Sequence, residues 1–307
     1  MPRTTSRPRR AGAATPYLFV APAVVLFLLV LAIPIAYTVY LSLFKIEVSG
    51  LGLGKGSRKE VFAGLENYVR ALTDSEMGAG ALRVLGYGAL LVPTMLLLAL
   101  VFALLLDEDG ARARGFSRIA IFLPYAIPGV IATLLWGFLY LPSTSPFVQL
   151  LRELSLPEVE LLSPTGLYFA LANIAVWGGV GYNMIVLYTS LRSIPRDLYE
   201  AARIDGCSAW QIALRIKIPL VVPALVLTTL FSIVATLQVY AEPTTLAPLT
   251  NALSRTWSPL MKIYQDAFVR GDIHSAAAAS VVVAAVMFVL SFGLLRITRS
   301  RAFGGEK

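Results

Sequence analysis

Residues 84–106 read VLGYGALLVPTMLLLALVFALLL, without a single acidic, basic or amide side chain. As an α-helix, such a run is long enough to cross the roughly 30 Å of hydrocarbon in a bilayer. A helix satisfies its backbone polar groups within its own segment, so it can cross where no water is present. This stretch therefore predicts a membrane-spanning helix.

Five other runs have a similar length and composition. They lie at about 17–43, 119–141, 167–190, 219–241 and 275–297. Only 14% of the 307 residues are charged, against about 25% in soluble domains. The first run follows basic residues, as a signal peptide would, but it is too long and no small-x-small cleavage site closes it. The sequence thus predicts an all-α, polytopic membrane protein of about six transmembrane helices, with the first one retained.

The distribution of lysine and arginine predicts the orientation of these helices. Sixteen basic residues lie in the termini and in the loops after the second and fourth spans, and nine lie in the three opposite loops. Because basic residues are retained in the cytoplasm, both termini are expected there. The net charge of +8 is explained by basic residues that flank the spans and face anionic membrane lipid. No nucleic-acid partner is expected.

Residues with metal-binding or nucleophilic side chains are scarce. The chain has one cysteine, Cys207, and one histidine, His274, which excludes a disulfide framework and a Cys/His metal cluster within it. No cluster of carboxylate, histidine or cysteine lies near a membrane face. We therefore expect no cofactor and no catalytic residue, and a membrane-embedded enzyme finds no support in the sequence.

Two features occur in the loops opposite the termini. The stretch GLGLGKGSRKE looks like a phosphate-binding loop, but Gly-x4-Gly-Lys requires glycine at position 49, where the chain has Ser49. We interpret it as a flexible linker.

Farther along, Ser258 and Pro259 are suited to begin a helix, and apolar residues recur at helical spacing from Leu260 to Phe268. This pattern predicts an amphipathic helix on the outer surface, either packed on the spans or docking a partner.

Polar residues near the fourth and fifth spans predict a path for a solute, because a polar side chain at this depth must face protein or water. The candidates are Asn173, Trp177, Asn183 and Gln238. Glycines at positions 178, 179 and 181 allow close helix packing. No Asp, Glu, Lys or His lies in the middle of a span, whereas proton-coupled carriers usually keep one there. The energy for transport is expected to come from another chain.

The loop between the fourth and fifth spans reads SLRSIPRDLYEAARIDGCSAWQIALRIKIPLVVPAL from residue 190. Pro195 begins a short helix, Gly206 provides a left-handed stop, and Ser208 with Gln211 forms a capping box for a second helix. One face of the first helix carries small and apolar residues, which indicates a protein partner. That face consists of Leu198, Ala201, Ala202 and Asp205.

The same loop resembles a known family. Its glutamate, two alanines, glycine, isoleucine and proline match the EAA motif, E-A-A-x3-G-x9-I-x-L-P, of type I ATP-binding-cassette (ABC) importer permeases. The matching residues are Glu200, Ala201, Ala202, Gly206, Ile216 and Pro219, with Ile218 in place of leucine. The stretches FAGLENY from Phe62 and LPYAIP from Leu123 are similar to the carbohydrate-uptake branch, which includes maltose and glycerol-phosphate permeases. Two features depart from that branch: Cys207 replaces alanine, and residues 242–251 lack Gly-Gly-Pro.

The resemblance implies a division of labour among several chains. Its EAA-loop helix would be the coupling helix that docks on an ATPase, with Asp205 joining the motif residues above as coupling residues. The implied partners are a second permease in a heterodimer, two ATPase subunits that hydrolyse ATP, and an extracytoplasmic solute-binding protein. The implied solute is a sugar or a related polyol or sugar phosphate. Substitutions in the solute path are expected to change transport and leave assembly intact.

This interpretation divides the chain into five segments of a multi-pass protein of the cell (inner) membrane. They are a basic cytoplasmic tail (1–16), a first transmembrane helix (17–44), an extracytoplasmic loop (45–82), a permease core of five transmembrane helices (83–297) with the EAA loop at 191–219, and a cytoplasmic tail (298–307). The alternative is a stand-alone secondary transporter or channel. Uptake into liposomes by the purified chain without an ATPase would favour that alternative.

Overall fold

A computed structural model of the chain describes residues 15–48, 58–108, 110, 113–155, 157 and 160–302. Several segments lie outside the described residues: nearly all of the basic N-terminal tail, the glycine-rich stretch after the first span, Arg112 and the last five residues. The described chain is almost entirely helical, with one pair of short strands.

Five continuous helical segments have the length and apolar composition of membrane spans, and a bent helix pair supplies a sixth among the described residues. The first segment combines α1 (Thr15–Phe27), a π turn (Leu28–Ala32) and α2 (Ile33–Ser42). The other continuous spans include α4 (Ser75–Asp107), α8 (Gly166–Arg192), α11 (Ile218–Leu237) and α14 (Ile273–Ala302). These helices confirm the five corresponding runs predicted from hydropathy.

The predicted third span, 119–141, is wrong as one straight helix. It consists of α5 (Arg114–Phe122), a 3-10 turn (Leu123–Ala126) and α6 (Gly129–Tyr140), and the two helices are bent by 96°. Pro124 and Pro128 lack an amide hydrogen and disfavour helical geometry in the residue before them. Ile127 is accordingly extended, with φ −80° and ψ 130°.

The core forms where α4 and α8 pack along each other. Buried side chains from α4, such as Tyr87 and Met95, meet buried side chains from α8, such as Leu171 and Met184. Gly181 lets the bend after α5 approach, because a Cβ there would lie 2.6 Å from Cα of Phe122. Close packing is thus confirmed at this glycine, whereas a Cβ on residue 178 would meet no atom within 4 Å.

The loop after the first span has regular structure on both sides of residues 49–57, so most of the stretch interpreted as a flexible linker lies outside the described residues. Its flanks form an antiparallel hairpin of β1 (Phe44–Val48) and β2 (Arg58–Phe62), with Lys45 opposite Val61. A short helix, α3 (Glu66–Thr73), follows. Asn67 is buried, and its Nδ2 donates to the backbone oxygens of Ser42 at 2.9 Å and Phe44 at 2.7 Å. This amide fixes α3 to the end of the first span and the start of the hairpin.

Further short helices complete the fold. They are α7 (Pro146–Glu153), α9 (Asp197–Ile204), α10 (Ala209–Ile212), α12 (Ala241–Leu246) and α13 (Pro259–Tyr264). The helix predicted at Ser258 is confirmed, since Ser258 Oγ accepts from the amide of Met261 at 3.3 Å. Lys262 on this helix is buried, and Phe268, on the π turn (Gln265–Val269) after α13, is 76% exposed.

Ion pairs explain why Lys262 points inward. Its Nζ lies 2.5 Å from Oδ2 of Asp266 and 3.1 Å from Oδ2 of Asp74, and Arg270 also pairs with Asp266 at 2.9 Å. Burial alone lowers the pKa of Lys262, but its hydrogen bonds to Asp266 and Asp74 outweigh that effect and raise the pKa above its ordinary value. The network ties α13 to the start of α4.

These contacts define two ends of the helical body. The hairpin end contains β1, β2, α3, α13 and the N-terminal end of α4. The α9 end contains α9, α10, the C-terminal ends of α4 and α8, and the start of α11. The N-terminal end of α14 lies at the hairpin end, where His274 Nδ1 is 3.0 Å from the backbone oxygen of Leu41.

Candidate functional site at the α9 end

The helix α9 is defined by local interactions at both of its ends. Pro195 precedes it, and Asp197 and Glu200 lie in its first turn, where negative charge favours the positive end of the helix dipole. Arg203 lies in the last turn, at the negative end. The sequence therefore marks both ends of this helix with local signals.

Gly206 ends α9, as predicted. It has φ +81°, a left-handed conformation that side chains with a Cβ rarely adopt. Its amide donates to the backbone oxygen of Arg203 at 3.0 Å, and the amide of Cys207 donates to that of Ala202 at 2.9 Å. This pair of bonds is the Schellman motif, which satisfies carbonyls that the helix leaves open.

The capping box at Ser208 is also confirmed. The amide of Gln211 donates to Ser208 Oγ at 3.3 Å, and Oε1 of Gln211 accepts from the amide of Ser208 at 2.8 Å. The helix α10 then continues through a π turn (Ala213–Lys217) into α11. Ile216 is half-buried on that turn, and Pro219 is exposed at the second position of α11.

The exposed face of α9 differs in part from the predicted one. Leu198, Ala201 and Asp205 are exposed, as expected, but Ala202 is buried against the chain itself. Ile204 is 86% exposed and Trp210 is 71% exposed. Neither residue was among the predicted site residues, although an isoleucine among charged residues was a signal. The result is an apolar surface at the end of the molecule, which we call the α9 face: Leu198, Ala201, Ile204 and Trp210.

A small polar cavity of about 110 Å³ lies behind α9. Its walls come from α9 and from the adjoining ends of α4, α8 and α11, and they include Glu200 and Tyr199. Burial raises the pKa of the Tyr199 hydroxyl, and the nearby charge of Asp107 adds to that effect. The charged residues Asp107, Glu108 and Lys217 also line the cavity. They lie far apart in the sequence, so spacing alone did not bring them together.

The four predicted solute-path residues do not share one cavity. Asn173 lines an apolar cavity of about 610 Å³ between α4, α6, α7 and α8, where its Nδ2 donates to the Tyr140 hydroxyl at 2.8 Å. Trp177 packs edge-on against Trp136, with ring centroids 5.8 Å apart. Asn183 is buried, and its Nδ2 donates to the backbone oxygen of Gly179 at 3.0 Å.

Gln238 lies at a different cavity, of about 440 Å³, between α4, α8 and the end of α11. Ser232 and Thr236 contribute hydroxyl groups to its wall, and Glu242 and Tyr240 lie at the same site. This cavity therefore has more polar groups than the one at Asn173. The hydroxyls were missed because serine and threonine are common in spans for packing alone.

A comparison with protein families bears on what this arrangement does. The profile of the family described as "Binding-protein-dependent transport system inner membrane component" matches residues 99–303, which include the bend after α5, the α9 face and most of the residues that line the two larger cavities. The chain belongs to this family. It is a multi-pass permease of the cell membrane and the membrane component of an ABC importer.

Curated relatives cover this permease almost from end to end. It is 28% identical over 302 residues to the sn-glycerol-3-phosphate transport system permease protein UgpA of Salmonella typhimurium, covering 97% of this chain and 98% of the relative. It is 29% identical to UgpA of Escherichia coli O157:H7 over the same shares.

Solved structures with the same fold include a bacterial alginate ABC transporter in complex with an alginate pentasaccharide-bound periplasmic protein. The permease matches a chain of that complex with a TM-score of 0.80 and 21% identity, covering 94% of each chain. A chain of the MetNI methionine ABC transporter, in an inward-facing conformation, matches with a TM-score of 0.54 and 15% identity, over 73% of the permease and 95% of that chain.

Proposed function

We propose that α9 is the coupling helix through which an ATPase drives this permease. The observation that carries the proposal is the α9 face, where Ile204 is 86% exposed on a helix whose C-terminal end is fixed by the two Schellman hydrogen bonds. An exposed apolar group on a well-defined helix fits a groove on a partner protein. Glu200 and Asp205 flank this surface with charges that can orient the docking.

The basic residues favour a cytoplasmic position for the α9 end, where ATP is available. Arg192, Arg196, Arg203 and Arg215 lie in or beside the loop that carries α9, and such residues are retained on the cytoplasmic side. With this orientation, both termini are cytoplasmic, and the hairpin end faces outward. A solute-binding protein then meets the hairpin end.

The solute path is best placed at the cavity that contains Gln238. Its hydroxyl, amide and carboxylate groups, beside the ring of Tyr240, suit a polyhydroxylated solute, which needs hydrogen bonds and an apolar face. Asn173 is engaged with Tyr140 in a cavity whose walls are mainly apolar, so it is a weaker candidate. The relatives named for sn-glycerol 3-phosphate and alginate support a sugar, polyol or sugar phosphate as the solute.

Four further subunits complete the proposed importer. A second permease supplies the other half of the path, two ATPases bind beneath the pair, and a solute-binding protein delivers the solute. ATP binding favours one of two arrangements of the permease pair, which opens the path to one side or the other. This chain contributes the path and the coupling helix and carries out no covalent chemistry.

Reconstitution in liposomes tests this function. The permease alone is expected to take up none of three labelled compounds: sn-glycerol 3-phosphate, a neutral disaccharide and an alginate oligosaccharide. With the second permease, the ATPase, the binding protein and ATP, one of them is expected to accumulate. Accumulation by the permease alone would contradict the proposal and favour a stand-alone transporter or channel.

The same assay tests the placement of the path. Gln238→Ala is expected to lower uptake at least several-fold and to leave ATPase co-purification unchanged, because Gln238 lies far from α9. Asn173→Ala is the matched amide deletion in the other cavity and is expected to have the smaller effect. The opposite order of effects would move the path to the cavity at Asn173.

A further inference from the structure

Lys217 places its ammonium group at a buried junction between helices. Its side chain is 5% exposed, and it is the last residue of the π turn that leads into α11. Nζ lies 2.9 Å from Oδ2 of Asp107 and 2.8 Å from Oε1 of Glu108. Both carboxylates belong to the end of α4, so this one group joins α4 to the start of α11.

The charge of Lys217 compensates negative charge at the C-terminal end of α4. Asp107 is the last residue of α4 and Glu108 caps it, so two carboxylates lie at the negative end of the helix dipole. A cation at that end is favourable, and a carboxylate as buried as Asp107 requires a partner. Arg114 adds a hydrogen bond from Nη2 to the backbone oxygen of Glu108.

Tyr199 extends the junction to α9. Its ring lies over the ammonium of Lys217, with 5.2 Å between Nζ and the ring centroid, within the range of a cation–π contact. The Tyr199 hydroxyl is buried and has no hydrogen-bond partner among the described residues. Tyr199 therefore contacts the ammonium through its ring, and this contact links α9 to Lys217.

We propose that Lys217 is a positioning residue that joins the coupling helix α9 to α4 and α11, so that a displacement of α9 moves both spans together. This inference rests on the function proposed above for α9. Packed contacts switch between discrete arrangements and do not deform continuously. A small shift of α9 is therefore transmitted through this contact to α4 and α11. Without Lys217, α9 moves against α4, and ATP is hydrolysed without transport.

Lys262 provides a matched control in the same chain. Its side chain is 4% exposed and it pairs with carboxylates of Asp74 and Asp266, so its removal breaks similar interactions. It lies at the hairpin end and makes no contact with α9. A general loss of stability is therefore expected from both lysines, whereas a loss of coupling is expected from Lys217 alone.

The experiment measures ATP hydrolysed per solute imported by the reconstituted complex, with the compound that the wild-type complex accumulates. For Lys217→Met we expect this ratio to rise about tenfold, within the range of typical coupling energies between sites. Lys217→Arg, which keeps the charge, is expected to restore a ratio near that of the wild type. Lys262→Met is expected to lower the amount of complex and leave the ratio unchanged.

Two results would overturn the inference. The first is an unchanged ratio in Lys217→Met, with only the amount of complex reduced. The second is an equal rise of the ratio in Lys217→Met and Lys262→Met. If Lys217→Met yields no complex, Tyr199→Leu decides in the same way, since it removes the ring that joins α9 to the ammonium and leaves Lys217 with both carboxylates. A wild-type complex that imports without ATP would instead reject the proposed function itself.

Discussion

Replacing Gly206 with valine is expected to lower ATP-dependent uptake more than tenfold and to remove the ATPase from the purified complex. Gly206 has φ +81°, and a residue with a Cβ, above all a β-branched one, is strained there by about 1–2 kcal/mol. The helix can relieve this strain only by breaking the Schellman bonds. Ile204 and Trp210, on either side of the turn, then lose their relative position.

The control for this change lies at the opposite end of the molecule. Gly271 also has a positive φ, of +72°, and a Cβ there would meet no atom within 4 Å. Gly271→Val therefore introduces similar strain away from α9 and is expected to leave ATPase co-purification intact. Gly206→Asn should be close to the wild type, because asparagine tolerates the left-handed conformation. Normal uptake by Gly206→Val would reject the role assigned to the turn.

A second large effect is expected from Gly181→Ala, which should prevent accumulation of folded permease. A Cβ on residue 181 would lie 2.6 Å from Cα of Phe122, and a backbone atom cannot move aside as a flexible side chain does. Overpacking costs about 1–3 kcal/mol, and more where the surroundings cannot adjust, as against this backbone. The measurement is the yield and the thermal unfolding midpoint of the purified permease.

The matched control is Gly178→Ala on the same helix. No atom lies within 4 Å of a Cβ at that position, and alanine favours a helix over glycine by about 1 kcal/mol. Its midpoint is expected to equal or exceed that of the wild type. Equal midpoints for the two variants would contradict the close approach of α8 to the bend after α5.

The sequence predicted those parts of the fold that local signals determine. Hydropathy located the spans because a lipid environment penalises every charge. The end of α9 at Gly206 and the start of α10 at Ser208 followed from residues adjacent to those points, since a cap depends on its own turn. The 96° bend of the third span was missed because hydropathy does not show whether an apolar run forms one straight helix or two. Pro124 and Pro128 were the local signal for a break.

The site was harder to predict because it depends on contacts between distant segments. Ala201 and Ala202 both lie within the broad small-and-apolar surface that helical spacing predicts, but only the packing of α9 decides that one is exposed and the other buried. Lys217 seemed to be one of many basic residues near the membrane. Its partners, Asp107 and Glu108, are separated from it by six helices along the chain, α5 to α10.

The solute-path candidates show the same limit. Asn173 and Gln238 are both polar residues near a span, and hydropathy treats them alike. In the folded chain Asn173 donates to Tyr140 in a mainly apolar cavity, whereas Gln238 donates to the sulfur of Met287 and lies in a cavity with hydroxyl groups. Spacing along one helix cannot distinguish the two, because the difference comes from α4 and α6.

The most direct test of the central claim is a cross-link between α9 and the ATPase. In a Cys207→Ala background, a cysteine replacing Ile204 is expected to form a cross-link with the ATPase subunit in the assembled complex. A cysteine replacing Phe268, which is 76% exposed at the hairpin end, is expected to form none. A complex that imports solute with ATP and yields no ATPase cross-link from position 204 to any cysteine placed on the facing ATPase surface would contradict α9 as the coupling helix.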